Sequence, residues 1–108
     1  MNNFFLSLSE GDTSLMKQVT TDDFILFEHD VIWNTDSLLE LMPMTLGRIW
    51  EIRDFQHTAT GHFAHVHYFN ISKSPKGKSW LESALLVKEN QQLKIKFMHS
   101  TKLYLNEQ

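Results

Sequence analysis

The sequence contains no cysteine, only two prolines and only four glycines among its 108 residues. Without cysteine the chain can form neither a disulfide framework nor a thiolate metal site. No segment approaches the ~20 apolar residues of a membrane-spanning helix, so we expect no membrane partner. The first nine residues lack the basic start and long apolar run of a secretion signal, and the cytoplasm is therefore the expected compartment.

Positive charge is also scarce, because ten lysine and arginine residues accompany thirteen aspartate and glutamate residues. Nucleic-acid binding needs a concentrated basic patch, so we expect no nucleic-acid partner. Hydrophobic residues, by contrast, make up 42% of the chain. A chain of this length buries roughly two-thirds of its unfolded surface. That is enough for one core and one ligand-sized cavity, and we expect a single domain over residues 1–108.

The first half of the chain has the pattern of short helices and short strands. Phe4–Leu8 predicts a helix that ends at Gly11, and Asp12 or Thr13 can cap a second helix that carries Leu15. Two strands and a helix that ends before a proline follow. The strands are predicted over Asp23–Glu28 and Val31–Trp33, and the helix, capped by Asp36 or Thr35, continues through Leu38, Leu39 and Leu41.

Four longer extended segments occupy the second half. Short polar loops separate them, which predicts consecutive antiparallel hairpins. Helices followed by such a meander indicate an α+β fold. The four strands are predicted over Arg48–His57, His62–Ile71, Trp80–Lys88 and Leu93–Leu103.

The hairpin turns decide which side chains share a face of the sheet, because neighbouring residues alternate between faces. We assume that Thr58 pairs with Gly61, Ser74 with Gly77 and Glu89 with Gln92. The more apolar face that results is assigned to the core, under the helices. Besides paired polar groups, it is predicted to supply the lining of a pocket: Trp50, Ile52, His67, Phe69, Trp80, Phe97 and Thr101.

The opposite face carries an apolar patch surrounded by charged residues. Such a patch on the outer face of a sheet is typical of a contact with a second subunit. We therefore expect a homodimer through this face. Its predicted interface consists of Ala64, Val66, Tyr68, Leu85, Val87 and Met98.

Two carboxylate–histidine pairs fall on the predicted core face. The assumed registers place Asp54 opposite His65, and Glu82 opposite His99. A buried ionisable group is costly unless it is paired. Either pair could act as a general acid and base if it lines a cavity. The alternative is that both pairs are structural and only satisfy each other.

His65 and His67 alternate on one strand and could form a metal-binding dyad with Asp54 or Glu82 as a further ligand. Two histidines at alternate positions are a weak signal, so we predict no metal ion and no cofactor. The three tryptophans, Trp33, Trp50 and Trp80, could be the walls of a pocket or ordinary core residues.

Six short motifs stand out along almost the whole chain: Leu8–Asp12, Thr21–Phe24, Asp54-Phe55, Ala64–Tyr68, Trp80–Ser83 and Leu93–Thr101. The first is the end of a helix at Gly-Asp. The second is an acidic pair before a strand, and the last ends in His-Ser-Thr. In their order and spacing, these motifs resemble the nuclear transport factor 2-like superfamily, in particular its SnoaL-like and ketosteroid isomerase-like domains.

The resemblance implies a cone-shaped fold in which a strongly curved antiparallel sheet wraps around N-terminal helices. It also implies an apolar pocket at the wide end and homodimers through the outer face of the sheet. Members of the superfamily include ketosteroid isomerases, polyketide cyclases, dehydratases and epoxide hydrolases, besides binding and assembly domains without catalysis. The fold therefore does not name a function.

No catalytic set of the superfamily transfers to this sequence. The isomerase pattern has a tyrosine on the first helix, where this chain has Phe4 and Phe5, and only His99 falls on a recurrent position. The first helix is also shorter than usual, which implies either further residues ahead of it or a less covered pocket.

Three functions therefore stay open. The first is a domain that binds a small apolar or amphipathic molecule. The second is an isomerase, cyclase or dehydratase in which Glu82 with His99, or Asp54 with His65, would act as acid and base. The third is a non-catalytic dimerisation or interaction module whose own side chains fill the cavity.

Overall fold

The computed structural model describes residues 1–73 and 78–103, which form helices packed against one face of a mixed sheet. No helix in this part of the chain is long and apolar enough to cross a membrane. A 3-10 turn, Met42–Met44, follows the third helix. The elements are α1 (Asn2–Glu10), α2 (Thr13–Val19), β1 (Thr20–Glu28), β2 (Val31–Asn34), α3 (Thr35–Leu41), β3 (Trp50–Thr60), β4 (Phe63–Ser72), β5 (Trp80–Glu89) and β6 (Gln92–Lys102).

The strands of the sheet are arranged in the order β2-β1-β6-β5-β4-β3. Neighbouring strands are antiparallel except β1 and β6, which run parallel. The predicted α+β class with a cone-like sheet over N-terminal helices is confirmed. In addition to the predicted four-stranded meander, β1 and β2 belong to the same sheet. The core is therefore covered by a sheet of six strands rather than four.

Local sequence signals set the ends of the first two helices. Gly11 ends α1 with a φ of 66°, a left-handed conformation that a side chain would disfavour. The following Asp12 accepts a hydrogen bond at Oδ1 from the backbone N–H of Leu15, 2.9 Å away, and so begins α2. The two helices consequently meet at a sharp corner and present Phe4 and Met16 to the core, where both are buried.

One of the three assumed hairpin registers is confirmed. Glu89 pairs with Gln92, and the two turn residues Asn90 and Gln91 have positive φ angles, as a tight β-hairpin turn requires. The assumed pairing of Thr58 with Gly61 is wrong, because β3 continues to Thr60, and Thr58 lies opposite His65. The assumed pairing of Ser74 with Gly77 lies outside the described residues.

Two bulges, which lie within strands rather than at the hairpin turns, shift the pairing register of the sheet. In β6 the extra residue is Lys96, since Leu86 pairs with Ile95 whereas Leu85 pairs with Phe97. In β3 the shift lies between Arg53 and Gln56 and includes Asp54, whose φ is 54°. A bulge of one residue moves every later side chain of that strand to the other face.

These shifts, together with a β4–β5 pairing that differs by one residue from the assumed one, overturn much of the predicted face assignment. In β4 the inward residues are Val66, Tyr68 and Asn70, because Glu82 lies opposite Tyr68 rather than beside Phe69. Burying valine and tyrosine removes more apolar surface from water than burying two histidines, which would also need partners. The outward residues, predicted to face inward, are His65, His67, Phe69, Phe97, His99 and Thr101.

The predicted dimer interface is corrected for the same reason. Val66, Tyr68 and Met98 are buried in the core, and Ala64 packs against it, so none of them can form an outer contact surface. Leu85 and Val87 alternate with the buried Ala84 and Leu86 and lie on the outer face. The homodimer itself stays a prediction, with a smaller apolar surface than the sequence suggests.

Candidate functional site

A cavity of about 270 Å³ lies between the inner face of the sheet and the helices α1 and α3. This volume is just below the ~300–1,000 Å³ typical of sites for drug-sized ligands. Most of its wall is apolar. The apolar lining residues are Phe4, Phe5 and Leu8 of α1, Leu38 and Leu41 of α3, Leu26, Met44 and Met98, and the tryptophans Trp33, Trp50 and Trp80.

All three tryptophans of the chain line this cavity. Trp33 comes from β2, Trp50 from the start of β3 and Trp80 from the start of β5. The Trp50 ring also lies 5.6 Å from the ring of Phe5, measured between centroids, which connects the sheet to α1. The walls are therefore aromatic and come from distant parts of the sequence, as in a site that holds a flat apolar molecule.

A row of polar side chains crosses the inner face beside this apolar wall. Glu28 of β1 pairs with Ser100 of β6, Ser100 pairs with Glu82 of β5, and Glu82 pairs with Tyr68 of β4. Two of these four residues, Glu28 and Glu82, line the cavity together with Asn70. The row thus brings two carboxyl groups to either side of one serine hydroxyl.

Glu82 is the most deeply buried carboxyl group of this row, with 5% of its surface exposed. Ser100 Oγ donates a hydrogen bond to its Oε2 at 2.6 Å, and Asn70 Nδ2 donates a long one to Oε1 at 3.4 Å. Burial raises the pKa of Glu82, and the hydrogen bonds only partly oppose this effect. The nearby Glu28 raises the pKa further, which favours an uncharged Glu82.

Glu28 is less buried and has a different set of partners. Its Oε1 accepts a hydrogen bond from Trp33 Nε1 at 3.2 Å. Burial raises the pKa of Glu28, whereas this hydrogen bond and the positive charge of Lys78 lower it. Glu28 consequently retains more of its acidity than a carboxyl group buried without a cation.

Two buried polar atoms beside Glu82 lack a well-directed hydrogen bond within the described part of the chain: the Tyr68 hydroxyl oxygen and Asn70 Oδ1. Burial and the adjacent Glu82 raise the pKa of Tyr68, so its phenol stays protonated. Buried polar atoms are rarely left unpaired in folded proteins. Since Asn70 also lines the cavity, a bound molecule could supply one of the missing partners.

The predicted site residues fall into three groups. Trp50, Trp80 and Glu82 line the cavity. Ile52 lies in a separate, more open pocket of about 300 Å³ with Met1, Asn2 and Phe55. The remainder lies outside the cavity: Asp54 is exposed in its bulge, and the outer face carries the half-buried Phe97 and the exposed His65, His67, Phe69, His99 and Thr101.

Both predicted carboxylate–histidine pairs are therefore wrong. Glu82 lies opposite Ser100 because of the bulge at Lys96. Asp54 is exposed, and the residue of β3 that lies opposite His65 is Thr58. The rings of His65 and His67 lie 5.9 Å apart between centroids. Within residues 1–73 and 78–103, no three potential ligands come together around a metal position.

Sequence reasoning did not assign to the site the polar lining residues Glu28, Thr45, Arg48, Asn70 and Lys78, nor Ser100 beside Glu82. A signal for two of them existed. Glu28 follows Phe24 and Leu26 at intervals of two, and Asn70 follows Val66 and Tyr68 in the same way, so each continues an apolar face. The position of Ser100 depends on the bulge in β6, which no pattern in the sequence marks.

No protein-family model matches this sequence, and no curated protein matches it. Several solved structures, by contrast, are similar to this chain in fold. An NTF2-like protein from Cytophaga hutchinsonii superposes with a TM-score of 0.82 at 8% identity, over 94% of this chain and 91% of its own. A protein from Shewanella frigidimarina, provisionally described as a ketosteroid isomerase, gives 0.77 at 17% identity, over 93% and 89%.

A third structure belongs to a different kind of protein. It comes from Exiguobacterium sibiricum and is provisionally described as a calcium/calmodulin-dependent kinase II association domain. Its TM-score is 0.80 at 15% identity, over 97% of this chain and 88% of its own. This chain therefore has the nuclear transport factor 2-like fold. Because an isomerase and an association domain share that fold, the function has to be argued from the cavity.

Proposed function

We propose that this chain binds a small, mainly apolar molecule in the cavity between α1, α3 and the sheet. The observation that supports this proposal most directly is that two buried polar residues, Glu82 and Asn70, line a cavity whose other lining residues are mostly apolar. An apolar core would be at least as stable without a buried carboxyl group. The unpaired Asn70 Oδ1 also offers a bound molecule a hydrogen-bond acceptor.

The expected ligand has a flat apolar body and a polar group that reaches Glu82 and Asn70. An uncharged Glu82 can donate a hydrogen bond to a carbonyl or hydroxyl oxygen, and Asn70 can accept one from a hydroxyl group. The three tryptophans would enclose the apolar body. The third hypothesis from the sequence, a module that fills its own cavity, does not account for this open volume beside a buried acid.

A variant that fills the cavity tests this proposal. Leu41→Phe adds volume to a half-buried side chain of α3 that lines the cavity, and it should weaken binding of 2-naphthol, measured by calorimetry, by about tenfold or more. Quenching of tryptophan fluorescence should follow the same titration, because all three tryptophans line the cavity.

The matched control is Leu93→Phe, the same substitution at an exposed position of β6. It should leave the affinity for 2-naphthol within about twofold of the original. If 2-naphthol and similar bicyclic aromatic probes show no saturable binding, or bind Leu41→Phe as tightly as the original protein, the cavity does not serve as a binding site.

A second candidate function is general acid–base catalysis, which the two cavity-lining carboxyl groups favour. Burial raises the pKa of both Glu28 and Glu82. When two carboxyl groups of a protein interact beside the same ligand, one can accept a proton while the other donates one. Glu28, near Lys78, would act as the base, and Glu82 would donate a hydrogen bond to the substrate oxygen.

Proton exchange on a simple ketone tests this second candidate. The protein should accelerate deuterium incorporation next to the carbonyl group of 1-tetralone, followed by nuclear magnetic resonance in heavy water. Glu28→Gln should reduce this acceleration by about 100-fold, whereas Glu40→Gln, an exposed substitution on α3, should not change it. Exchange no faster than in buffer would exclude this chemistry for such ketones.

A further inference from the structure

Of the two cations that line the cavity, Lys78 acts electrostatically on Glu28 without a direct ion pair, and Arg48 has no ion pair with any acidic group in the part of the chain that the structure describes. Its side chain is half-buried. Its backbone is fixed from two sides: the N–H donates to the Thr45 carbonyl oxygen at 3.1 Å, and Ser9 Oγ of α1 donates to the Arg48 carbonyl oxygen. Arg48 therefore lines the cavity from a segment whose backbone is anchored to α1 and to the preceding turn.

The charged groups around the cavity leave Arg48 unbalanced. Lys78 acts electrostatically on Glu28, so these two opposite charges compensate each other. Glu82 is buried and hydrogen-bonded to Ser100, and no cation among residues 1–73 and 78–103 forms an ion pair with it. A carboxyl group in that setting favours its neutral form. The cavity thus carries one positive charge that nothing in its described walls neutralises.

The ionisable groups also differ in depth. Arg48 is half-buried and Lys78 is exposed, whereas Glu82 and Asn70 have only 5% and 2% of their surfaces exposed. The positive charges consequently belong to the more exposed lining residues and the neutral polar groups to the buried ones, and the three tryptophans also line the cavity. A molecule that fits this arrangement has a negative end, a flat apolar body and a neutral polar substituent.

We propose that the ligand is an amphipathic aromatic or alicyclic carboxylate, and that Arg48 binds its carboxylate group at the solvent side of the cavity. A guanidinium group presents paired N–H donors that match the two oxygens of a carboxylate. This inference rests on the proposed binding function and adds the chemical class of the ligand. Arg48 is then the residue that distinguishes an acid from its neutral analogue.

A pair of probes of equal size tests this inference. 2-Naphthoate and 2-naphthamide differ only in the charge of one planar group, and calorimetry gives the affinity of each. The original protein should bind 2-naphthoate at least about tenfold more tightly than 2-naphthamide. Arg48→Met should abolish this preference while changing the affinity for 2-naphthamide by less than about threefold.

Arg53→Met is the matched control, because Arg53 is exposed and its guanidinium group pairs with Glu51 at 2.9 Å on the surface of the sheet. It should keep the full preference for 2-naphthoate. Arg48→Gln repeats the test with a neutral polar side chain, in case methionine impairs folding. Arg48→Lys should keep part of the preference, since an ammonium group retains the charge but not the paired geometry.

The two proposals fail in distinguishable ways. If 2-naphthamide binds and Leu41→Phe weakens it, but 2-naphthoate binds no better, the carboxylate inference is wrong and the binding function stands. A preference for 2-naphthoate that survives in both Arg48→Met and Arg48→Gln would also overturn the role of Arg48. If neither probe binds the original protein, the binding function fails as well.

Discussion

Replacing Glu82 with glutamine is expected to make the folded state less sensitive to rising pH. Burial raises the pKa of Glu82 in the folded protein above its ordinary value of 4.5. Above that ordinary value, the unfolded chain releases a proton that the folded protein still holds. The free energy of unfolding therefore falls with pH, by up to about 1.4 kcal/mol per pH unit, until the folded pKa is passed.

Glu82→Gln removes this loss because an amide does not ionise, yet its oxygen can still accept the hydrogen bond from Ser100. Urea unfolding at a series of pH values from about 5 to about 9 measures the slope. Glu28 contributes with the same sign, since burial raises its pKa too, so the Glu82→Gln variant should keep a smaller slope.

The matched control for this experiment is Glu40→Gln, which changes an exposed glutamate of α3 and should preserve the original slope. Asp23 and Glu51 are exposed, and their hydrogen bonds to Lys96 and Arg53 lower their carboxyl pKa, so their pH dependence has the opposite sign. Added salt screens those surface pairs but not Glu82. Identical slopes for the original protein and Glu82→Gln in high salt would show that Glu82 is ionised in the folded state.

Phe4→Ala is expected to cause the largest loss of stability, about 3–5 kcal/mol, because it removes a buried aromatic ring and leaves a void. Phe4 is 2% exposed, lines the cavity, and contacts the rings of Phe5 and Phe24 at centroid distances of 5.3 and 6.1 Å. Urea unfolding at constant pH measures the change. The variant should also enlarge the cavity.

Leu6→Ala is the control, since Leu6 lies on the same helix but is 44% exposed, and it should cost no more than about 1 kcal/mol. The comparison tests whether the short α1 covers the cavity or lies loosely upon it. If Phe4→Ala and Leu6→Ala have similar small effects, α1 does not form a fixed wall, and the cavity is more open than its geometry indicates.

The alternation of apolar residues in the sequence was sufficient to predict the strands but not their faces. The predicted Trp80–Lys88 and the observed Trp80–Glu89 differ by a single residue, and the inward positions of Glu82, Ala84 and Leu86 are as predicted. The last hairpin turn is also as predicted, because Glu89 and Gln92 bracket a two-residue turn. Short-range signals of this kind lie within a few residues of the structure they specify.

The predictions that were wrong concern sites that are formed by contacts between strands. Lys96 in β6 and Asp54 in β3 lie at bulges, and neither position carries glycine, which commonly marks a bulge in sequence. One inserted residue exchanged the faces of His99 and Ser100, and with them the identity of the group beside Glu82. The predicted carboxylate–histidine pair therefore became a carboxyl–hydroxyl pair.

The sequence by itself determined the α+β class, the order of helices and strands, the resemblance to the nuclear transport factor 2-like superfamily and the inward positions of Trp50, Trp80 and Glu82. The class, the order of the elements and the inward positions follow from periodicity, capping residues and turns, all of which act locally, whereas the resemblance depends on the order and spacing of six short motifs. Only the tertiary structure decided that Glu28 and Glu82 flank Ser100 and that Arg48 and all three tryptophans line one cavity. The reason is physical: side chains from distant strands meet only through the sheet register, and a single bulge changes that register.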